Sequence, residues 1–314
     1  MVNLATLPKD WVVTSGQFTR KVYTDVYPAV DPTKPENSLK GKTVVVTGAS
    51  RGIGAKSIAP AFARAGAKAI VLVATNATKL LIVEEELRKI NPDLETLALD
   101  ADISSAEQVT KAWSVINARY PKVHVLVNNA GVEYSKSDKM MHEQDPDIFF
   151  KNFEVNVKGT HIMTQQFLQA ALPWASATDK ARIITLTSST AWGVWPFLAA
   201  YAMSKSANIH YTTTLAAAYP ESLLAISVNP GMNDTEMVPL ALRAAEFNYN
   251  DPALTGGTIV WLVADPARSQ FLNGRVLTVE WDVEELVARK EEITSKNLLT
   301  MQLQATLGPE QFID

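Results

Sequence analysis

Two side chains four residues apart, Tyr201 and Lys205, have types and spacing that suit proton transfer. On a helix this spacing places both side chains on one face, one turn apart. An unperturbed tyrosine, with a pKa of about 10, is a poor base at neutral pH, but a nearby ammonium favours the phenolate and lowers that pKa. We therefore expect Tyr201 to give a proton to a carbonyl oxygen or to take one from an alcohol.

A glycine-rich segment, TGASRGIG at 47–54, follows an apolar strand pattern and opens a helical one. Gly48 permits the tight turn, Gly52 lets a pyrophosphate approach the backbone, and Gly54 lets helix and strand pack closely. Free amides and the positive end of the helix dipole would then face the phosphates. The segment predicts a dinucleotide site that also includes Ser50, Arg51 and Ile53.

The elements that must position these residues alternate between strands and helices. Apolar runs typical of buried strands lie at 43–47, 69–73, 95–99, 123–127, 182–186, 224–228 and 276–279. Helical patterns lie between most of them, at 58–63, 78–90, 105–119, 147–172 and 200–218. Such alternation indicates βαβ units with right-handed crossovers. The sequence therefore predicts an α/β fold with a doubly wound parallel sheet of the Rossmann type.

Three segments follow from the same pattern. Residues 41–282 contain no linker, and we predict that they form a single domain. Residues 1–40 form a leader whose closely spaced prolines block regular helix, so we expect an extended strap. Residues 283–314 have the charged and apolar character of a helical extension that packs on the core or on a neighbouring subunit.

The glycine spacing G-x-x-x-G-x-G after a threonine resembles that of the short-chain dehydrogenase/reductase family. Further motifs of that family follow in order over about residues 41–280. They are Asp102 after the third strand, the NNAG motif at Asn128–Gly131, the helix asparagine Asn156, the serine Ser188, the Tyr-x-x-x-Lys pair Tyr201 and Lys205, and Asn229-Pro230-Gly231 with Thr235. The sequence is identified as a member of this family.

The resemblance implies a role for each matched residue. Asp102 would bind the adenine, Asn129 would border the cofactor, and Lys205 would bind the nicotinamide ribose. Pro230, Gly231 and Thr235 would hold the nicotinamide carboxamide. Ser188 would bind the substrate oxygen and stabilise its charge, and Asn156 would complete a water-linked proton relay. Ser189 is the alternative to Ser188, although the strand alignment and the thirteen-residue spacing to Tyr201 favour Ser188.

The cofactor preference depends on what meets the adenosine 2′ position. The second strand runs into Ala74-Thr75-Asn76 without the carboxylate that would bind a 2′-hydroxyl. Arg51 is placed to pair with a 2′-phosphate, and Thr75 and Asn76 could add neutral hydrogen bonds. We therefore expect NADP(H) rather than NAD. Two points oppose this: Thr75 stands where many NADP-binding members carry a second basic residue, and Arg51 alone is compatible with a solvated loop charge.

The sequence indicates less about the substrate than about the cofactor. Trp192 and Trp195 lie between Ser188 and Tyr201, beside the substrate in relatives, and suggest an apolar carbonyl or alcohol. Core or subunit contacts are the alternative for these tryptophans. The segment after Gly231 is expected to form a lid, with Met232, Met237, Val238, Leu240 and Leu242.

The leading function is an NADP(H)-dependent ketoreductase or alcohol dehydrogenase. One alternative is a family member that catalyses imine reduction, epimerisation or dehydration, because the same acid–base pair serves several chemistries. Another is an NADP-binding regulator without turnover. The intact set of Ser188, Tyr201, Lys205 and Asn156 argues against the regulator, because a binder does not need a proton relay.

Composition and net charge bear on which partners and ligands the protein is expected to bind. A net charge of −4 gives no reason to expect nucleic acid or membrane binding, and no signal peptide or membrane span is evident. The chain has no cysteine, and its four histidines show no ligand spacing, so we expect no metal site and a cytoplasmic protein. We expect a homodimer through the helices that contain Asn156 and Tyr201. A homotetramer is in doubt because Val279-Glu280-Trp281-Asp282 replaces the usual Val-Asp-Gly-Gly segment.

Overall fold

The core of the fold is a seven-stranded parallel sheet. The computed structural model describes residues 6–134, 139–238 and 240–305. The strands are β1 (Thr43–Thr47), β2 (Ala69–Ala74), β3 (Glu95–Asp100), β4 (Val125–Asn128), β5 (Ala181–Leu186), β6 (Leu223–Asn229) and β7 (Val276–Thr278). Their order across the sheet is β3-β2-β1-β4-β5-β6-β7, and every pairing is parallel. The predicted doubly wound α/β fold is confirmed.

Helices cover both faces of this sheet. They are α1 (Trp11–Thr14), α2 (Ala59–Arg64), α3 (Ala77–Ile90), α4 (Ala106–Arg119), α5 (Pro146–Phe153), α6 (Thr160–Ala171), α7 (Ala199–Ala218), α8 (Leu240–Ala244), α9 (Pro252–Ala264), α10 (Pro266–Ser269), α11 (Val283–Ala288) and α12 (Lys290–Ser295). Within residues 6–134, 139–238 and 240–305, no helix has both the length and the apolar character that a bilayer crossing requires.

Alternate residues of each strand enter two separate cores. In β1, Val44 and Val46 pack with α2 and α9, whereas Val45 packs on the opposite face with α4 and α6. All five residues of β1 are buried, so the strand reads as a continuous apolar run. The strand order reverses between β1 and β4, and this reversal opens a crevice at their carboxyl ends, where ligands of doubly wound folds bind.

The helix predicted at 147–172 is interrupted. It consists of α5, a π-helical turn at Glu154–Gly159, and α6. A π turn carries one extra residue and is frequent at functional sites, and this turn contains the predicted site residue Asn156. The hydrophobic period of the segment does not reveal such a local insertion.

The leader and the C-terminal extension pack against each other. The Glu285 carboxylate accepts from the Arg20 N–H at 2.7 Å, and the Tyr27 hydroxyl accepts from the Val283 N–H at 2.9 Å. We call residues 6–40 the N-terminal strap. The extension forms the short helices α11 and α12 and is not helical from 296 to 305, while 306–314 lie outside the described residues. The three-segment division itself stays a prediction.

Candidate active site

The glycine loop leaves β1 at the reversal of strand order. Gly48 has a φ of +64°, and a Cβ at this position would lie 2.8 Å from the Ala130 Cα. A Cβ on Gly54 would lie 2.7 Å from the Asn129 side-chain nitrogen. Both contacts are too short for a side chain, so the loop after β1 and the loop after β4 approach each other only because these residues are glycines.

Thr47 and Asn129 bind the two loops together. The Thr47 hydroxyl oxygen accepts from the main-chain N–H groups of Asn129 and Ala130, both at 3.0 Å. The Asn129 side-chain amide donates to the carbonyl oxygens of Thr47 at 2.8 Å and Gly48 at 3.2 Å. Asn129 thus fixes the loop predicted to hold the pyrophosphate. The helix that follows begins at Gly52, whose φ is +57°, with Ser50 and Ile53 partly exposed on either side of this turn.

Arg51 lies on the outside of the glycine loop and forms an ion pair with Glu236. The two side chains are 62% and 73% exposed. A Cβ on the neighbouring Gly52 would lie 3.7 Å from the Thr235 methyl group. The segment after β6, which contains Thr235 and Glu236, therefore lies across the mouth of the crevice and contacts the glycine loop.

Three predicted residues lie near the expected adenosine end. Thr75 and Asn76 are exposed at the end of β2. The Asn76 side-chain oxygen accepts from the Lys79 N–H at 2.9 Å and caps α3, so Asn76 has a structural role besides the predicted one. One carboxylate oxygen of Asp102 accepts from both the N–H and the hydroxyl of Ser104, at 2.9 and 2.7 Å.

Tyr201 lies in the first turn of α7 with its side chain partly exposed. Its hydrogen-bond partner is the Ser188 hydroxyl, and the charge of Glu133 acts on it as well. The Ser188 oxygen also accepts from the Thr190 N–H at 3.2 Å. The main-chain N–H of Ser189 instead donates to the Asn229 side chain at 3.2 Å. Of the two candidate serines, it is Ser188 whose hydroxyl meets Tyr201.

Burial shifts the pKa values of both members of the Tyr201–Lys205 pair. It raises the pKa of Tyr201 to about 12, with Ser188 lowering it and Glu133 raising it further. It lowers the pKa of Lys205 to about 8. From the sequence we predict that the pKa of Tyr201 is lowered. In the structure it is raised, so the predicted direction is wrong. The Lys205 ammonium donates to the Leu186 carbonyl oxygen at 3.0 Å and lies 5.7 Å from the centre of the Tyr201 ring, and desolvation is the largest cause of the Tyr201 shift.

Asn156 holds the backbone that follows the NNAG motif. Its side chain accepts from the Val132 N–H at 2.8 Å and donates to the Val132 carbonyl oxygen at 2.9 Å and to the Ser204 hydroxyl at 2.9 Å. A Cβ on Gly131 would lie 3.1 Å from the Lys205 nitrogen and 3.4 Å from the Asn156 side-chain oxygen. Asn156 and Lys205 therefore meet around Gly131, although the proton relay through Asn156 stays a prediction.

The turn at Pro230–Gly231 is held from several sides. The Pro230 carbonyl oxygen accepts from the Asn233 side-chain amide at 2.7 Å and from the Thr255 hydroxyl at 3.1 Å. Gly231 has a φ of +65°, which favours glycine. Asn250 donates its main-chain N–H to the Met232 carbonyl oxygen at 2.8 Å.

The predicted substrate residues occupy different environments. Trp192 is 44% exposed, whereas Trp195 is partly buried and folds against Gly193. In the segment expected to form a lid, Met232 is buried and Met237 is exposed. The side chain of Leu240 lies outside the described residues.

Two acidic residues at the site were missed from the sequence. Glu133 acts on Tyr201, and Glu236 pairs with Arg51. Glu133 comes two residues after the NNAG motif, and this position could have indicated it. Glu236 had no comparable signal, because its contact joins segments that are 185 residues apart.

The fold and this arrangement together define a dinucleotide-binding oxidoreductase with a parallel sheet. The sequence profile of the family described as short chain dehydrogenase matches residues 42–244. The chain belongs to the short-chain dehydrogenase/reductase family, whose members bind a nicotinamide cofactor and act on alcohols or carbonyls.

Fungal relatives align over most of the chain. The short chain dehydrogenase mpl6 of Monascus purpureus is 32% identical over 290 residues, covering 90% of this chain and 95% of the relative. The short chain dehydrogenase tazN of Aspergillus terreus is 31% identical over 297 residues. That alignment covers 93% of this chain but only 62% of the longer relative.

Solved structures agree in fold. A 3-ketoacyl-(acyl-carrier-protein) reductase from Brucella melitensis, complexed with NADH, has a TM-score of 0.68 at 26% identity, with 77% of this chain and 98% of that one covered. A short chain dehydrogenase from Burkholderia cenocepacia, in complex with NADP, has a TM-score of 0.67 at 25% identity, with 78% and 99% covered. Structural similarity therefore leaves the choice between the two cofactors open.

Proposed function

We propose that this protein is an NADP(H)-dependent reductase that interconverts a carbonyl and a secondary alcohol, with Tyr201 as the proton-transfer residue. The observation that carries the proposal is the contact of Tyr201 with Ser188 beside Lys205, at the end of the sheet where the glycine loop lies. Gly48, Gly54 and Asn129 hold the loop after β1 against the loop after β4, at the start of a helix whose N-terminus suits the pyrophosphate of a dinucleotide. The bound nicotinamide supplies or accepts the hydride.

The protein's own groups would handle the substrate oxygen. Ser188 donates a hydrogen bond to it and stabilises the charge that develops there. Tyr201, whose pKa of about 12 keeps it protonated at neutral pH, donates the proton during reduction. Lys205, with a pKa of about 8, remains mostly charged at neutral pH and favours the tyrosinate that is left behind.

The preference for NADP(H) rests on Arg51 and on the end of β2. Thr75 and Asn76 present no carboxylate to a 2′-phosphate, and Arg51 is the cation of the glycine loop. The Arg51–Glu236 pair is largely exposed, and such pairs contribute at most about 1 kcal/mol. Charge-assisted hydrogen bonds to a phosphate are worth about 1.5–3 kcal/mol, so Glu236 does not prevent phosphate binding. We infer an apolar substrate from the exposed face of Trp192.

The proposal is tested by NADPH and NADH oxidation against a panel of aliphatic and aromatic ketones. We expect NADPH-dependent turnover, and we expect Arg51→Ala to raise the KM for NADPH by about ten- to a hundredfold while leaving NADH unchanged. Lys56→Ala is the matched control, because Lys56 is an exposed cation on the helix that follows the same loop. A preference for NADH that Arg51→Ala leaves unaffected would contradict the cofactor assignment.

We also propose that the protein forms a homodimer through the helices that contain Asn156 and Tyr201, with α5, the π turn and α6 contributing an apolar groove. Phe150 is 61% exposed there, beside a groove of about 380 Å³ that Phe153, Val157 and His161 also line. Glu154 and Lys158 form a pair at 2.7 Å along the groove. In a two-fold interface the same surface meets itself, so Glu154 of one copy can face Lys158 of the other.

The dimer is tested by sedimentation equilibrium. Phe150→Glu places a charge in the apolar groove, and we expect it to shift the protein from dimer to monomer. Val115→Glu is the control, because Val115 is a similarly exposed apolar residue on α4. A wild-type protein that is monomeric at micromolar concentration, or a Phe150→Glu variant that stays dimeric, would exclude this interface.

A further inference from the structure

A buried carboxyl group lies beneath the turn at Pro230–Met232. Glu280, two residues after β7, is only 2% exposed. One of its carboxyl oxygens accepts from the Asn250 side-chain amide at 2.8 Å. Among the residues that the structure describes, none forms a hydrogen bond with the other buried oxygen. Burying a carboxyl group in this way is costly, so its presence requires an explanation.

Glu280 and Asn250 both contact the turn directly. A Cβ on Gly231 would overlap the Glu280 carboxyl group and the Asn250 amide, so these two side chains occupy the space beside the Gly231 Cα. The main-chain N–H of Asn250 also donates to the Met232 carbonyl oxygen at 2.8 Å. The pair therefore determines both how close Gly231 can come to the sheet and where the Met232 carbonyl oxygen lies.

The contacts of Glu280 suit a neutral acid better than an ion. Among the described residues, no Lys, Arg or His forms an ion pair with Glu280. Burial raises the pKa of this carboxyl group. An uncharged side chain of the same shape, glutamine, would therefore preserve the contact with Asn250.

The N-terminal strap holds both members of the pair in place. The Tyr23 N–H donates to the Glu280 carbonyl oxygen at 2.8 Å, and the Asp251 N–H donates to the Thr24 carbonyl oxygen at 2.8 Å. Two adjacent strap residues thus bind the backbone of Glu280 and of the residue after Asn250. These hydrogen bonds fix the distance across which the Glu280–Asn250 contact forms.

We propose that Glu280 is a positioning residue for the nicotinamide end of the cofactor, acting through Asn250 on the Pro230–Met232 turn, with the strap holding the pair together. The inference rests on the proposed function, in which this turn receives the nicotinamide carboxamide. It assigns a role to the position where Glu280 departs from the family's Val-Asp-Gly-Gly segment. It also predicts that a change at Glu280 affects binding of the nicotinamide end and not of the adenosine end, because the turn would contact only the nicotinamide end of the dinucleotide.

The test compares binding of NADP⁺ with binding of adenosine 2′,5′-bisphosphate, which lacks the nicotinamide end. Isothermal titration gives the two Kd values, and their ratio measures what the nicotinamide end contributes. We expect Glu280→Ala to weaken NADP⁺ binding about tenfold and to leave the bisphosphate unchanged. Glu280→Gln should keep both Kd values within about twofold of wild type. Glu84→Ala, which removes another buried carboxylate, in α3, is the matched control.

Each outcome decides the inference. If Glu280→Ala weakens both ligands equally, or weakens neither, Glu280 does not position the nicotinamide turn. If Glu280→Gln loses as much as Glu280→Ala, the charge matters rather than the contact with Asn250, and the inference is wrong. Should Glu280→Ala fail to fold, Asn250→Ser removes the same side-chain contact, keeps the main-chain N–H, and must show the same selective loss.

The same binding data distinguish an error in the proposed function from an error in the role of Glu280. A wild-type protein that binds NADP⁺ no more tightly than the bisphosphate would contradict the proposed function, because the nicotinamide end would not be engaged. A wild-type protein that gains affinity from the nicotinamide end, together with a Glu280→Ala variant that keeps the full gain, would contradict the role of Glu280 alone.

Discussion

Replacing Tyr201 with phenylalanine is expected to lower kcat for carbonyl reduction by a factor on the order of 10²–10⁴. The phenol is the group that meets Ser188, and its pKa of about 12 keeps the proton on it at neutral pH. Phenylalanine preserves the ring and its packing in α7 but has no proton to give. The expected loss therefore lies in kcat, while the Kd for NADP⁺ should stay within about twofold, because the glycine loop rather than this residue is predicted to hold the phosphates.

The control for this variant is Tyr120→Phe. Tyr120 is buried between the end of α4 and the start of β4, at the edge of the sheet opposite the carboxyl ends of the strands. The Tyr120→Phe substitution removes the hydroxyl group from another tyrosine and should leave kcat unchanged. Steady-state assays with a ketone accepted by the wild type measure both variants. Turnover in Tyr201→Phe within about tenfold of wild type would show that another group transfers the proton.

The fold and the glycine loop could be predicted because their signals are local. β1 is a run of buried β-branched residues, and Gly48 and Gly54 are required by contacts with loops at the same sheet edge. The alternation of strands and helices together with right-handed crossovers indicates the doubly wound class of fold. Short-range patterns of this kind can be recognised in the sequence without information about contacts between distant residues.

Other features could not be predicted because they depend on tertiary contacts. The direction of the Tyr201 pKa shift is set mainly by desolvation, which depends on how the surrounding segments cover the residue. The ion pair of Arg51 with Glu236 and the contact of Glu280 with Asn250 join distant parts of the chain. Hydropathy also gave no sign of the π turn that carries Asn156, because one inserted residue barely alters a helical period.

Lys205 should set the alkaline limit of the reaction. Its pKa is lowered to about 8, so the ammonium is present below that pH and is lost as the pH rises through it. Tyr201, with a pKa of about 12, keeps its proton over the same range. We therefore expect kcat/KM for reduction to be level up to about pH 7 and to fall above about pH 8, because the charge that favours the tyrosinate disappears.

Replacing Lys205 with methionine tests this assignment. Methionine has a similar length and no charge, and we expect kcat/KM at neutral pH to fall by a factor on the order of 10²–10³. The decline above about pH 8 should disappear with the group that titrates there. Lys111→Met, which removes an exposed ammonium from α4, should keep both the rate and the profile of wild type. Profiles from about pH 6 to about pH 10 distinguish the two variants. If the alkaline decline persists in Lys205→Met, a different group titrates there, and Lys205 acts only by holding the Leu186 carbonyl oxygen in place.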